Sequence, residues 1–125
     1  MLSRLKRRRE FLRAAKSGLH ASAPGMAVQA YRRPEGDEAA SGIRVGFTTS
    51  RKVGNAVTRN RVRRRLRAVA EEVLPSLGKE RHDYVLVGRS EAKERPFQDL
   101  VTDLRSALRH IEHKAAHRRT RAARR

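Results

Sequence analysis

The sequence predicts a single α+β domain, an α/β sandwich in which a mixed, roughly four-stranded sheet packs with three helices in the order α-β-β-β-α-β-α. Three observations lead to this fold class. Residues Met26 to Arg32 and Ile43 to Thr49 alternate in character with the period of a strand. Residues Val62 to Val73 and Phe97 to Ala115 place apolar side chains at helical spacing. The nearly continuous apolar run within Asp83 to Gly88 is typical of an inner strand buried on both faces.

The N-terminal segment Met1 to Arg9 is mostly basic, and we expect it to be mobile, with Leu5 as an anchor. A short first helix is predicted from Glu10 to about Gly18, a residue suited to the position after a helix. Its apolar residues are Phe11, Leu12, Ala15 and Leu19. Ala21 to Ala23 is expected to add a short edge strand.

The two alternating strands are predicted to form a hairpin with one apolar face, which would pack on the helices. That face carries Met26, Val28, Ala30, Ile43, Val45 and Phe47. The opposite face is small and polar enough for a ligand to lie against it, and it carries Ala27, Gln29, Tyr31, Arg44, Gly46 and Thr48. The connection from Pro34 to Gly42 is rich in turn residues and carboxylates, which we interpret as solvated charge and not as a metal site.

A helix rich in arginine, here called the arginine helix, is predicted to begin after Gly54, with Asn55 as its N-cap and Pro75 as its limit. One face is apolar and carries Val62, Leu66, Val69, Ala70 and Val73. The opposite face carries Asn60, Arg61, Arg64 and Arg67, with Arg59, Arg63 and Arg65 on its flanks. Arginine grips phosphate bidentately, so this face indicates a polyanion partner, the alternative being a solvated basic surface.

The third helix is predicted from Pro96 to about Ala116. Asp99 and Asp103 are spaced to hold Mg²⁺ weakly, but the partial positive charge of the helix N-terminus explains two acids there. His110, His113 and His117 share a face and could bind a metal. Because these histidines run into a basic tail, we favour the solvated interpretation and predict no metal site.

The amino-acid composition limits the classes of function that the chain can have. Lys+Arg 31 against Asp+Glu 13 gives a net charge of +18, which predicts a polyanionic partner. A membrane surface is the competing polyanion, but no apolar stretch is long enough to span a bilayer and no signal peptide is recognisable. The chain has no cysteine, which fits the cytoplasm. With three Phe, two Tyr and no Trp, base stacking cannot be the main source of affinity.

The length of 125 residues is that of one domain. We place this domain at residues 1–116 and expect 117–125 to be a basic, disordered tail. No nucleophile–base pair and no carboxylate cluster for two metals can be assembled, so the residues indicate a binding module and not a self-sufficient nuclease. Two alternatives remain: a structural ribosomal protein, and a helix-turn-helix DNA binder that the flanking strands disfavour.

The stretch Gly-Asn-Ala-Val-x-Arg-Asn-Arg-x-x-Arg-x-x-Arg, from Gly54 to Arg67, resembles the signature of bacterial ribonuclease P proteins. The resemblance extends from about Leu5 to about Ile111. It implies a left-handed βαβ crossover and a protein subunit, monomeric within a cytoplasmic ribonucleoprotein, that assists removal of the 5′ leader of precursor tRNA. It also implies that the catalytic centre is in the RNA subunit, with no catalytic residue in this chain, and that the Mg²⁺ the holoenzyme needs is held mainly by the RNA.

The resemblance also assigns residues to two surfaces. The residues expected to bind the catalytic RNA are Arg51, Lys52, Asn55, Arg59, Arg61, Arg63, Arg64 and Arg67. The residues expected to line the cleft for the single-stranded leader are Phe11, Ala15, Ala27, Gln29, Thr48, Asn60, Arg64 and Arg67. Members of the family usually have aromatic residues where this chain has Ala15 and Gln29. We therefore expect hydrogen bonds and phosphate contacts to contribute more than stacking to leader binding.

Overall fold

The structure is a computed structural model that describes residues 2–36 and 41–123. The strands are β1 (Leu2–Arg4), β2 (Leu19–Ser22), β3 (Met26–Arg32), β4 (Ile43–Thr49) and β5 (His82–Gly88). The helices are α1 (Arg8–Lys16), α2 (Ala56–Leu77) and α3 (Phe97–Ala123), with short 3₁₀ turns at Arg51–Val53 and Ser90–Lys93. The α+β class with three helices is as predicted, but the sheet has five strands.

The strand order is β1-β4-β5-β3-β2, with β5 in the middle. β5 pairs antiparallel with β3 and parallel with β4. The predicted hairpin of β3 with β4 is therefore wrong, because β5 lies between them. The apolar run in β5, in which Tyr84, Val85 and Leu86 are buried, explains its central position. The parallel β4–α2–β5 unit is confirmed, and its left-handed sense stays a prediction from the resemblance.

Two layers of helices cover the sheet. α2 and α3 pack on one face, and the predicted apolar face of the arginine helix is entirely buried there: Val62, Leu66, Val69, Ala70 and Val73. α1 packs on the other face, where Ala14 joins Leu5 and Val85 in a second, smaller core. The face predicted to remain available for a ligand is therefore the one that α1 covers in part.

The N-terminus contributes a strand that the sequence did not predict. β1 pairs parallel with β4 and places Leu2 opposite Ile43. The Leu5 N–H donates to the Val45 carbonyl at 3.0 Å, and the Leu5 side chain is buried, so it anchors the segment as expected. The expected mobility of the first nine residues is wrong for residues 2–9, because this pairing and the start of α1 hold them. Met1 lies outside the described residues.

Two helix ends differ from the predictions. α2 continues through Pro75 to Leu77. The proline occupies the last turn, where it removes only its own N–H from the ladder, and the Gly78 N–H donates to the Leu74 carbonyl at 2.8 Å. α3 continues past residue 116 to Ala123, so the tail expected to be disordered is helical over residues 117–123. Its alanines and arginines are strong helix formers.

The remaining predictions concern connections and ends. Within the acidic connection, Glu35 is 91% exposed and forms a 3.5 Å ion pair with Arg81, in agreement with solvated charge. Asp37, Glu38 and the last two residues of the tail lie outside the described residues. Across residues 2–36 and 41–123, no helix combines the length and the apolar character that crossing a membrane requires.

Candidate nucleic-acid interface

The N-terminal end of the arginine helix presents positive charge. Gly54 has a φ of +144°, which favours glycine, and Asn55 caps the helix by accepting a 2.9 Å hydrogen bond from the Thr58 N–H. The preceding 3₁₀ turn places Arg51 and Lys52, both exposed, next to this end. Free N–H groups and the helix dipole favour phosphate at such a position, and the two cations reinforce it.

The exposed side of α2 borders a groove of about 490 Å³. The residues that line it are Arg4, Phe47, Val57, Asn60, Arg63, Arg64 and Arg67. Among the described residues that line this space, four carry a guanidinium group and none carries a carboxylate. Asn60 accepts a hydrogen bond from Arg63, which orients the two side chains together. The groove matches the chemistry of a phosphate-bearing strand with one amide available for a sugar or base edge.

The arginines of α2 do not all face the groove. Arg61 is exposed and Arg59 is half-buried, and neither lines it. Arg65 points the other way: its Nη1 donates to the Ala92 carbonyl at 2.6 Å and its Nη2 to the Arg95 carbonyl at 2.5 Å. Arg65 therefore anchors the second 3₁₀ turn to α2, whereas Arg61 and Arg64 are exposed.

The predicted leader cleft lies on the opposite face of the sheet. Phe11 of α1 packs directly on Gly46, where an added Cβ would come within 2.6 Å of the ring. Ala27, Gln29 and Thr48 are half-buried on the same face, at β3 and β4. Ala15 is exposed beside the buried Ala14, so it does not share the packed position of Phe11.

A buried carboxylate holds α1 over this face. Asp83 of β5 is bonded to Arg33 at 2.6 Å, to Arg44 at 2.8 Å and to Arg13 of α1 at 3.3 Å. Arg44 also contacts Glu10 of α1 at 2.8 Å. The network therefore joins α1, β4 and β5, and it fixes the helix that borders the cleft.

Glu10 has a second role at the start of α1. Its carboxylate accepts hydrogen bonds from the backbone N–H groups of Lys6 and Arg7, at 3.2 and 2.9 Å. Partial burial acts to raise the pKa of Glu10, but these hydrogen bonds and the Arg44 charge outweigh it and lower the pKa. The carboxylate thus stays charged while it caps the helix and binds Arg44.

The predicted cleft residues are divided between two surfaces. Phe11, Ala27, Gln29 and Thr48 belong to the α1 side of the sheet, whereas Asn60, Arg64 and Arg67 line the groove on the α2 side. Strand β4 is common to both, because its successive residues face opposite sides: Phe47 lines the groove, and Thr48 faces the cleft. A strand of RNA that passes the C-terminal half of β4, beyond its pairing with β1 at Ile43 to Val45, would meet both surfaces.

Sequence reasoning missed three groove residues. Arg4 lies in β1, which carries no strand pattern of its own, and Phe47 was assigned only to the core. Val57 is 76% exposed at the groove's rim, and its exposure follows from its position on the polar side of α2. One feature of the sequence indicates this exposure, because Val57 falls outside the apolar face of α2 that begins at Val62.

On α3, Asp103 has a structural role, whereas the three histidines of the predicted shared face are exposed. Asp103 is 4% exposed, accepts a 3.0 Å hydrogen bond from the Gly25 N–H and forms a 2.7 Å ion pair with Arg95. His110, His113 and His117 are exposed on α3. Within the part of the chain that the structure describes, no group of three or more histidine or carboxylate side chains is arranged to hold a metal ion.

Comparison with known proteins identifies the family. The family model for ribonuclease P matches residues 2–112. The ribonuclease P protein component of Ruegeria pomeroyi is 52% identical over 111 residues, which cover 88% of this chain and 86% of the relative. That of Paramagnetospirillum magneticum is 46% identical over 110 residues, covering 88% and 83%.

Solved structures agree with the fold. The RNase P protein of Staphylococcus aureus superimposes with a TM-score of 0.67 at 25% identity, covering 85% of this chain and 92% of that one. The RNase P protein from Thermotoga maritima has a TM-score of 0.67 at 23% identity, covering 83% and 93%, which supports the fold alone. The alternatives of a ribosomal protein and a DNA-binding helix-turn-helix protein are set aside by the sequence match. The chain belongs to the ribonuclease P protein family.

Proposed function

We propose that the two surfaces divide the work of the protein subunit of bacterial ribonuclease P. The arginine helix and its groove bind phosphates of the catalytic RNA, and the α1 side of the sheet guides the 5′ leader of precursor tRNA. As a member of its family, the chain is a subunit of the ribonucleoprotein that cleaves precursor tRNA to leave the mature 5′ end. The hydrolysis takes place in the RNA subunit.

The main support for this division between two surfaces is the set of residues that line the groove of the arginine helix. Arg4, Arg63, Arg64 and Arg67 converge there without a carboxylate, next to the amide of Asn60. Guanidinium groups this close repel one another, and a polyanion relieves that repulsion. The cations bind RNA strongly at low salt, since each neutralised phosphate releases counterions.

The same residues support the proposal that Mg²⁺ is held mainly by the RNA. Mg²⁺ prefers carboxylate and phosphate oxygens in octahedral geometry, and the groove offers guanidinium groups instead. The protein contributes by neutralising phosphates of two RNAs that would otherwise repel each other. It thereby lowers the Mg²⁺ concentration needed for tight substrate binding. The corresponding cellular location is the cytoplasm, with one copy of the chain in each ribonucleoprotein.

The leader surface is supported by shape. α1 borders a sheet face on which Ala27 has a small side chain, Gln29 and Thr48 offer hydrogen-bonding groups, and Phe11 packs on Gly46 at the boundary with α1. Single-strand sites usually combine cations with aromatic stacking, and this face offers few aromatic rings, so hydrogen bonds and phosphate contacts have to contribute more. Because the side chains are few and small, we expect weak sequence preference in the leader.

The test is binding to a bacterial ribonuclease P RNA across a salt series. Neutralisation of about six phosphates gives a slope of about −4 to −5 in log K against log salt. Arg64→Ala should weaken binding by about 1–3 kcal/mol, the size of a charge-assisted contact. A slope near zero, or unchanged affinity in the variant, would move the RNA contact away from this groove.

A second comparison tests the leader surface separately. The assembled holoenzyme should bind precursor tRNA more tightly than mature tRNA, and Gln29→Ala should reduce that difference while leaving affinity for mature tRNA unchanged. The variant leaves the arginine helix intact, so assembly with the catalytic RNA is the internal control. If Gln29→Ala changed the affinity for precursor and mature tRNA equally, the leader would not contact this face of the sheet.

A further inference from the structure

A second basic surface lies on the C-terminal half of α3. A groove of about 430 Å³ runs between this part of the helix and the turn that connects α1 to β2. Its lining consists of Gly18, Leu19, Lys114, His117, Arg118, Arg121 and Ala122. The four basic residues, Lys114, His117, Arg118 and Arg121, stand at i, i+3, i+4 and i+7, so they occupy one face of the helix. We call this the α3 groove.

The α3 groove is a fixed part of the fold. Lys114 donates a hydrogen bond from Nζ to the His20 carbonyl, and Arg118 donates from Nη1 to the Ser17 carbonyl at 3.2 Å. Ala115 packs against the main core, where Leu19 is buried. These contacts hold the basic face at a set distance from the α1–β2 turn, in contrast to a tail that moves freely in solvent.

The charges of the α3 groove have no acidic counterpart in its lining. The nearest acid on the helix, Glu112, lines a neighbouring cavity of about 510 Å³ that Arg118 also borders, and Glu112 is paired there with Lys79. The helix dipole favours cations within the last turn, which includes Arg121, but Lys114 is nine residues before the end of α3 at Ala123 and lies outside that turn. An external anion is therefore the natural partner of these cations.

The α3 groove is separate from the groove of the arginine helix. α3 packs on β2 and β3, whereas Arg4 of the first groove lies on β1. β1 and β2 are the two edge strands, four strand spacings apart, which is about 19 Å. A single phosphate cannot reach both grooves, so each must meet a different stretch of a polyanion.

We propose that the α3 groove is a second phosphate-backbone site for RNA in the holoenzyme. This inference rests on the proposed function, because it takes RNA to be the polyanion that the chain meets. Lys114 and Arg121 supply the charge, and Arg118 both supplies charge and anchors the helix. The RNA strand is either a second region of the catalytic RNA or the body of precursor tRNA, and both present the same phosphate chemistry.

The experiment compares two double variants of equal charge. Lys114→Gln with Arg121→Gln removes two cations from the α3 groove. Arg105→Gln with Arg109→Gln removes two exposed cations from the same helix that do not line the groove, so it is the matched control. Each variant is measured for binding to ribonuclease P RNA and, after assembly with that RNA, for binding to precursor tRNA, across a salt series.

We expect the groove variant, relative to its control, to reduce the salt slope by about 1.4 to 1.8 in one of the two measurements, as loss of two phosphate contacts requires. If the affinities are equal at 1 M salt, this change of slope corresponds to binding that is about 25- to 60-fold weaker at 0.1 M. The binding measurement that shows the reduced slope identifies which RNA occupies the α3 groove. The pair Lys114→Arg with Arg121→Lys should restore the wild-type slope, which shows that charge and not helix packing is responsible.

Equal slopes and affinities for the groove variant and its control, in both measurements, would overturn the proposal. A groove variant that is not rescued by the charge-conserving pair would also overturn it, since packing would then explain the loss. Failure of the wild-type chain to bind either RNA would instead count against the proposed function, so the two failures are distinguishable.

Discussion

Asp83 Oδ1 lies 2.6 Å from Nη1 of Arg33, and both side chains are completely buried. The same carboxylate also accepts hydrogen bonds from Arg44 and Arg13, so one buried acid joins cations from three segments of the chain. Burial of a guanidinium group is costly unless it is paired in this way. The pairing also determines where α1 lies, and hence the border of the leader surface.

Replacement of Asp83 by Asn should therefore destabilise the fold severely. The change removes the carboxylate charge that the buried Arg33 contacts, and breaking a buried pair in this manner costs about 3–5 kcal/mol. Urea unfolding measures the loss. Asp99→Asn, at an exposed position in the first turn of α3, is the matched control and should cost about 1 kcal/mol or less. Similar losses in the two variants would show that the network contributes little.

Gly46 and Phe11 should behave as a coupled pair. An added Cβ at Gly46 would come within 2.6 Å of the Phe11 ring, so Gly46→Ala should destabilise by about 1–3 kcal/mol through overpacking. The double variant with Phe11→Leu should lose less than the sum of the single variants, because the smaller side chain leaves room. A double-mutant cycle in urea unfolding tests this coupling, and strict additivity would show that α1 adjusts freely.

Arg64 and Arg65, adjacent on α2, should separate binding from stability. Arg64 lines the groove, whereas Arg65 donates two hydrogen bonds to backbone carbonyls of the second 3₁₀ turn. Arg65→Ala should reduce unfolding free energy by about 1.5–3 kcal/mol, and Arg64→Ala should leave it nearly unchanged. RNA affinity, measured at a temperature where both variants are folded, should fall mainly for Arg64→Ala. If Arg64→Ala instead lowered mainly the unfolding free energy and Arg65→Ala mainly the RNA affinity, the assignment of the two roles would be wrong.

His82 should give the fold a dependence on pH. Burial lowers the pKa of His82 below its ordinary value of 6.5; its hydrogen bond with the Glu80 carbonyl opposes this, and the Arg32, Lys79 and Arg33 charges lower the pKa further. The unfolded chain therefore takes up the proton first as the pH falls. Stability due to this residue is complete above about pH 6.5 and declines below it.

The comparison for this prediction is His82→Phe, which preserves an aromatic ring stacked on Tyr84, 5.8 Å away between centroids, but does not titrate. Between pH 7.5 and pH 5.5, wild type should lose more unfolding free energy than the variant. The other histidines are present in both proteins and cancel in the difference. Parallel pH profiles would mean that His82 titrates alike in the folded and unfolded chain.

The arginine helix was predictable because its signals are local. Val62 and Leu66 recur at the spacing of one buried face, and Asn55 is followed at the correct interval by the N–H it caps. The central position of β5 was likewise indicated by its apolar run. In these elements, local propensity, burial pattern and capping all favour the same structure.

Other features depend on contacts between distant parts of the chain. The pairing partner of β3 is fixed by the place that β5 takes in the sheet, which alternation alone cannot show. β1 is only three residues long and is recognisable only through its pairing with β4. The inward turn of Arg65 depends on carbonyls about thirty residues later, and Arg4 reaches the groove only because β1 lies at the sheet edge. These features depend on tertiary contacts, which leave no periodic pattern in the sequence.

The central claim is that the chain's cationic surfaces join two RNAs while the RNA performs the cleavage. Its most direct test is the rate of 5′ processing of precursor tRNA by a bacterial ribonuclease P RNA at low Mg²⁺, with and without the purified chain, beside the chain alone. The account predicts strong enhancement by the chain, loss of that enhancement in Arg64→Ala with Arg67→Ala, and no cleavage by the chain alone. Cleavage without the RNA subunit, or a rate that the chain does not change, would contradict it.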